Sequence, residues 1–255
     1  MLEDPRPNDE PWPDARWIPL DSVTLDHHDI TLRMATSQDA DALFEVLDHD
    51  ACWRHVAGRP ESVDVLRSTI ADSASRGRHI WLVERRGQPV GTTSYLDVSI
   101  GDSRLEIGST LYAPSEWGSD LNPTCKYLLM SFAFSELGMG RVQLKTDIRN
   151  VRSRNAIERL GARYEGVLRR YQRRADATVR DTVMYSVIAE DGRACGVGCS
   201  NECQPRGESA DAARLQCVCS FVESMPNSFF VDVVNLAVLH ENPAVDDGVG
   251  DVVGT

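Results

Sequence analysis

Between Thr146 and Ala162 the chain reads TDIRNVRSRNAIERLGA. Asn150 is placed as a helix cap, and Ser153, Ala156, Ile157 and Leu160 recur at i, i+3, i+4 and i+7, one face of a helix. Arg152 and Arg154 fall in its first turn, where the amide dipoles already leave partial positive charge. Two readings are open. The arginines form a solvated basic face behind an ordinary cap, or an anion such as a phosphate sits at the helix end and offsets both the arginines and the orphan amides. Ser153 is a small polar residue directed inward at that open end.

The elements around this helix follow from hydrophobic periodicity. Ile30, Leu32 and Met34 alternate with polar residues as in a half-buried strand. SQDADALFEVLDHDACW follows as a helix capped by Ser37, with Leu43, Val46 and Leu47 at helical spacing, and PESVDVLRSTIADSASRG is a second helix closing on Gly77. HIWLVERRGQPVGTTSYLDVSI reads as two strands around a turn at Gly87, Gln88 and Pro89, and SRLEIGSTLYAP as a third, ended by Pro114. The loop SEWGSDLNP leads into a helix whose broad apolar face (Leu128, Leu129, Phe132, Phe134, Leu137) marks it as core. RVQLKTDI alternates as a strand, the Asn150 helix comes next, and two strands near YEGVLRRYQRR and VRDTVMYSVIAE close the order β-α-α-β-β-β-α-β-α-β-β. That order specifies one α/β domain over 29–190.

The 255 residues carry a net charge of −12, unevenly spread. Residues 1–26 hold seven acids and two bases, and residues 191–255 ten acids and three bases, so the stretch between them is neutral. No basic field argues for nucleic acid. Residues 1–28 form a proline-rich acidic arm without the apolar core of an export signal; Trp12, Trp17 and Ile18 are its candidates for docking. No run of about 18 apolar residues suggests a membrane span. The seven cysteines make no recognisable disulfide framework and are expected reduced, in a cytoplasmic protein.

The Asn150 helix, with Asn-x-x-Ser followed by Leu160-Gly161, resembles the coenzyme A side helix of the GNAT N-acetyltransferase superfamily, and most of all its RimJ/RimL-like branch. RLEIGSTLYAP is similar to that family's central strand, and residues 163–188 to its closing hairpin. The resemblance implies the GNAT fold, a central mixed twisted sheet with flanking helices, with acetyl-CoA as donor and a primary amine as acceptor. In that fold the fourth and fifth strands splay, and the donor's pantetheine arm pairs with the backbone in the gap. Here this implies contacts from Ile107 to Tyr112, through Ile107, Gly108, Ser109 and Leu111. The pyrophosphate is expected on the next loop, at Trp117, Gly118 and Ser119, with Asn122, Lys126, Asn150, Arg152 and Ser153 contributing. Ser115 and Asp120 depart from the family's loop pattern. A carboxylate beside a pyrophosphate is repulsive, so Asp120 must turn outward or donor affinity falls.

Transfer to an amine needs a base, because a primary amine is mostly protonated at pH 7. The resemblance points to Glu106; Glu165 is a second carboxylate. Backbone N–H groups of the splayed strand are the expected oxyanion donors. Many relatives place a tyrosine seven residues after the asparagine, where this chain has Ile157, which has no proton to give. Ser153 is left as a hydrogen-bond donor to the sulfur, with Tyr164 and Tyr185 as outside candidates. The acceptor, a small molecule or a protein N-terminus, is not legible; His49, Trp53 and His55 lie on the side where it should bind. Direct attack in a ternary complex is expected, and a homodimer stays open.

Residues 191–255 form an acidic extension of irregular character. Its cysteines, Cys195, Cys199, Cys203, Cys217 and Cys219, do not have the spacing of a zinc ribbon, and no metal is expected. A catalytically weak or inactive GNAT-fold protein that binds an acyl-CoA or a partner is the competing reading, motivated by the altered loop and the missing tyrosine.

Overall fold

The computed structural model describes residues 11–174 and 176–191. The cysteine-containing extension therefore lies outside the described residues. Eight strands form one sheet: β1 (Thr24–His27), β2 (Ile30–Met34), β3 (His79–Arg85), β4 (Gln88–Ser99), β5 (Arg104–Tyr112), β6 (Arg141–Asp147), β7 (Arg163–Arg173) and β8 (Val179–Ile188). Five α-helices accompany them: α1 (Ala40–Leu47), α2 (Asp50–Trp53), α3 (Val63–Ala71), α4 (Leu121–Ser135) and α5 (Val151–Arg159). Among the described residues no helix is long and apolar enough to cross a membrane.

The strand order is β1-β2-β3-β4-β5-β6-β8-β7. Every neighbouring pair is antiparallel except β5 and β6, which run parallel. The middle of the sheet is covered on both faces, which is why Ile80, Trp81, Leu82 and Val83 of β3 are all buried despite being consecutive. One face packs on α4, joining Trp81, Tyr95, Leu105 and Ile107 to Leu129, Met130 and Ala133. The other packs on α1 and α3, joining Ile80, Leu82 and Leu111 to Leu43, Leu47 and Ile70.

Three boundaries differ from the sequence reading. Thr24–His27 pairs with β2 from Thr24↔Arg33 to His27↔Ile30, adding a strand ahead of the first one expected. Leu25 is the only apolar residue of this segment, so no alternation announces the strand. The first long helix breaks at Asp48, and His49, in extended backbone, caps the separate α2 by accepting from the Ala51 amide at 3.2 Å. Helix α4 starts at Leu121, inside the expected loop, because Pro123 sits in the first turn where its missing N–H costs nothing.

Part of the N-terminal arm is built into the domain. Leu20 and Leu25 are buried, and Trp17 and Ile18 pack on the same core. The Arg16 amide donates to the Leu137 carbonyl at 2.9 Å, and Ser103 Oγ donates to the Pro13 carbonyl at 2.6 Å. A side chain at Gly138 would collide with the Asp14 carbonyl at 2.6 Å, so this glycine keeps room for the arm. Trp12 is left exposed.

Candidate active site

The site is organised by the place where the sheet opens. Strands β5 and β6 share three pairs, Arg104↔Arg141, Leu105↔Val142 and Glu106↔Gln143. Beyond Glu106 they part, while β6 stays paired with β8 as far as Asp147↔Thr182. With β1 added, the splayed strands are the fifth and sixth. Strand β5 continues along β4, but its register shifts between Thr92 and Ser94, and Ser109 adopts a positive φ of 47°. This bulge turns the backbone without ending the strand. It puts Leu111 on the α1 face, although Leu105 and Ile107 face α4.

Glu106 stands at the fork. It is 4% exposed, and its Oε2 lies 2.6 Å from Lys145 Nζ on β6. The other oxygen, Oε1, lies over Gly108; a Cβ there would meet it at 2.7 Å. Burial pushes the Glu106 carboxyl up, the bond to Lys145 offsets part of that, and Asp97 adds to the rise. Burial works against the Lys145 ammonium as well, but Glu106 outweighs it and holds Lys145 charged. Lys145 also lies over the Tyr171 ring at 5.2 Å.

The same sheet face carries further charge. Asp147 is bound by Arg174 through Nε at 2.5 Å and Nη2 at 2.9 Å. Arg180 Nε and Thr182 Oγ1 are buried without a hydrogen-bond partner. Glu165, the second candidate base, is held by Arg141 on both oxygens, with its Oε1 2.7 Å away, and accepts from Ser186 at 2.7 Å. The Arg141 bond lowers its pKa, so it is a poor proton acceptor near neutrality.

In the loop between β5 and α4, the Asp120 carboxylate has a cationic partner. It pairs with Arg85 Nη2 on β3, and Arg85 Nη1 takes Glu116 Oε2 at 2.8 Å. Both acids are thereby committed to one arginine. Gly118 has a φ of +83°, and nothing within 4 Å opposes a Cβ there, so its value is conformational freedom. Ser119 Oγ donates to the Glu116 carbonyl at 2.8 Å and accepts from the Leu121 amide at 3.2 Å. Asn122 is half-buried in the first turn of α4.

Lys126, expected as a phosphate donor, points inward instead. Its Nζ bonds to Thr110 Oγ1 at 2.7 Å and Thr93 Oγ1 at 3.2 Å, and burial pushes its pKa down to about 8. Helix phase is the reason: Lys126 shares the buried face of α4 with Leu129, Met130 and Ala133.

On α5, Asn150 caps the helix by accepting from the Ser153 amide at 3.1 Å, and Ser153 is half-buried. Arg152 stacks on the Trp117 ring, with Cζ 4.0 Å from its centroid. Trp117 is itself held by its indole N–H on the Tyr112 carbonyl at 3.1 Å. The two sides of the fork are thus bridged by a cation and a ring. Arg154 lies instead beside Tyr185, on whose hydroxyl its charge acts. Tyr185 donates to Glu158 at 2.9 Å, and Tyr164 is exposed against it on β7.

The structure therefore gathers Glu106, Ile107, Gly108 and Ser109 along the fork. Trp117 and Arg152 meet across it, and Lys126 is set apart. Sequence reading missed Lys145. Its signal was available, because Arg141, Gln143, Lys145 and Asp147 alternate with the buried Val142 and Leu144.

Comparison with known proteins identifies the family to which this fold belongs. Residues 29–163 match the family model described as the acetyltransferase (GNAT) domain. The chain is 29% identical over 167 residues to the uncharacterized N-acetyltransferase YoaA of Bacillus subtilis (strain 168), covering 62% of this chain and 93% of that protein. An acetyltransferase structure from T. thermophilus is 31% identical with a TM-score of 0.62, covering 68% of this chain and 92% of that one. A RimL ribosomal L7/L12 alpha-N-protein acetyltransferase, solved in complex with coenzyme A, shares the fold at 17% identity and a TM-score of 0.59, covering 65% of this chain and 97% of that one. The chain belongs to the GNAT family and is an N-acetyltransferase.

Proposed function

We propose that this chain moves an acetyl group from acetyl-CoA to a primary amine by direct attack, with Glu106 as the proton acceptor. Acetyl-CoA is the family's cosubstrate and supplies the acetyl group. The observation that carries the reading is the buried Glu106 carboxylate at the point where β5 loses its partner. Beyond Glu106 the fork side of β5 has no partner strand, so its N–H and C=O groups can take a pantetheine arm, except the Tyr112 carbonyl, which accepts from the Trp117 indole; an N–H among them can face the acetyl oxygen as charge develops there. Gly118, Ser119 and Asn122 offer backbone at the start of α4 to the pyrophosphate, with Asp120 drawn aside by Arg85.

Lys145 occupies Oε2, so Oε1 is the oxygen left to take the amine's proton, directly or through a water. In balance, the ammonium and the thioester give an amide, a free thiol and one proton. The N–C bond forms as the C–S bond breaks; one amine proton ends on sulfur and the other leaves through Glu106. Ser153, half-buried at the open end of α5, is the donor proposed for the sulfur. A protein N-terminal amine is one acceptor class, suggested by the ribosomal acetyltransferase that shares the fold; a small amine is the other. Calorimetric titration of the full chain with acetyl-CoA, followed by an amine screen that reads thiol release, tests the reading. Absence of donor binding would sink it.

A further inference from the structure

On the sheet face opposite α4, a cavity of about 90 Å³ lies among α1, α3, the connection between α2 and α3, and strands β3 to β5. Its walls are largely apolar, with Leu43, Leu47, Val56, Ile70 and Leu111 among them. Three charged side chains also reach it: Asp48, Arg59 and Arg78. The first two pair at 2.6 Å, and Arg59 takes Asp50 as well, also at 2.6 Å.

Arg78 is left without such a match. Its Nε donates to Ser94 Oγ at 3.1 Å, and no carboxylate among the described residues pairs with the guanidinium. Burial alone acts on it, lowering its pKa. A desolvated cation without an anion is costly, and folded proteins ordinarily pair such groups. The placement gives that cost a use. Ser94 is in register with Gly108, and Glu106 Oε1 lies over Gly108. Arg78, Ser94, Gly108 and Glu106 therefore follow one another across a single sheet face, beside a cavity floored by Thr92, Ser109 and Leu111.

We infer that the acceptor is a small amino carboxylate: its carboxylate is held by Arg78, its amine faces Glu106, and its apolar side chain fills the cavity. The inference rests on the reading of Glu106 as the proton acceptor. The guanidinium fork matches a carboxylate with two parallel hydrogen bonds. An amine lacking that group would bring its own ammonium close to an unmatched cation in a low-dielectric space. The cavity is smaller than the engineered one of about 150 Å³ that admits benzene, so an aliphatic side chain suits it better than an aromatic one.

The test uses the full chain and its Arg78→Gln variant, with leucine, valine and methionine each compared with its decarboxylated amine and its amide. Acetyl transfer is read by thiol release. The native protein should favour at least one amino acid over both analogues that lack the carboxylate by tenfold or more in kcat/KM. Arg78→Gln should erase that preference through KM while leaving the decarboxylated amines unchanged or improved. Arg78→Lys covers a glutamine variant that fails to fold, and should reduce the preference several-fold. Equal kcat/KM across each trio, or an amide preferred over its acid, overturns the inference. If acetyl-CoA binds but no amine is acetylated, the catalytic reading fails, and calorimetry with coenzyme A present decides separately. Amino acids bound by the native chain and not by Arg78→Gln sustain the carboxylate site; no amino acid bound overturns it.

Discussion

Lys145 Nζ stands 2.6 Å from Glu106 Oε2, one strand over and just past the last pair that β5 and β6 share. Both side chains are nearly out of water, at 15% and 5% exposure. Burial alone favours the protonated form of a carboxyl and pushes its pKa up. A carboxylate held by a cation on both oxygens, as Glu165 is by Arg141, becomes less basic. The lysine on Oε2 offsets part of the rise that burial causes and leaves Oε1 without an ion-pair partner.

Glu106→Gln keeps the shape and removes the basicity. It should lower kcat/KM about 100-fold at pH 7, within the usual range for a general base. The loss should shrink as pH rises and more amine arrives already neutral. Parallel pH–rate profiles for the two proteins would exclude this role.

Lys145→Met leaves a buried carboxylate unpaired, which should cost about 3–5 kcal/mol at pH 7. With its cation gone, the Glu106 pKa in the folded state rises further above its unfolded value. Stability is then fullest at low pH, where the carboxyl is protonated in both states, and is lost as pH rises through the folded pKa. Urea midpoints at pH 4.5 and pH 7.5 should therefore show a gap to the native protein that widens with pH. A constant gap would mean that the lysine contributes packing only.

Arg85→Gln frees Glu116 and Asp120 together, leaving two carboxylates at the proposed phosphate loop. Acetyl-CoA affinity should fall roughly tenfold at low salt and recover partly as ionic strength rises, since the added repulsion is screened. Asp120→Ala should change affinity by less than about threefold, because Arg85 already holds its exposed carboxylate. Calorimetry at two salt concentrations separates these outcomes; a large gain from Asp120→Ala would show that the pairing with Arg85 does not protect the loop.

Lys126 makes the opposite case to Glu106. Its ammonium is buried against two threonine hydroxyls that also bond each other at 2.8 Å. Its folded pKa is about 8 against an ordinary 10.5. Between these values the unfolded chain binds the proton and the folded one does not, so stability rises with pH across that window. Lys126→Met should stabilise the protein by about 1–4 kcal/mol at pH 7, with the advantage vanishing by pH 10.5. Thermal unfolding across that range checks the sign.

How much of this could be read from the chain depended on whether a residue's partner was local. Ile30, Leu32 and Met34 alternate, and the α5 face repeats every turn, so both elements declare themselves. Strand β1 pairs with β2 across only two residues, His28 and Asp29, but it has a single apolar residue, Leu25, and its turn lacks the glycine that usually marks a hairpin. Lys126 follows the same logic: helical phase was enough to bury it, but its type suggested solvent. Asp120 was readable as a problem and not as a solution, since Arg85 lies 35 positions away. Arg78 carried no local signal, because its meaning comes from the acids that are not near it.

The three-rung contact between β5 and β6 has a mechanical consequence. The sheet behaves as two plates sharing a short seam, one plate of five strands and one of three. Along the open edge, the β5 amides beyond Glu106 that point away from β4 have no strand to bond. In the free protein those amides should exchange their hydrogens quickly, although the strand that carries them runs through the core. A donor laid into the gap would act as the missing length of seam. Exchange there should slow with donor occupancy, while the Glu106–Gln143 rung stays protected throughout. Filling the gap would thus stiffen the join between the plates at the moment the acetyl group arrives.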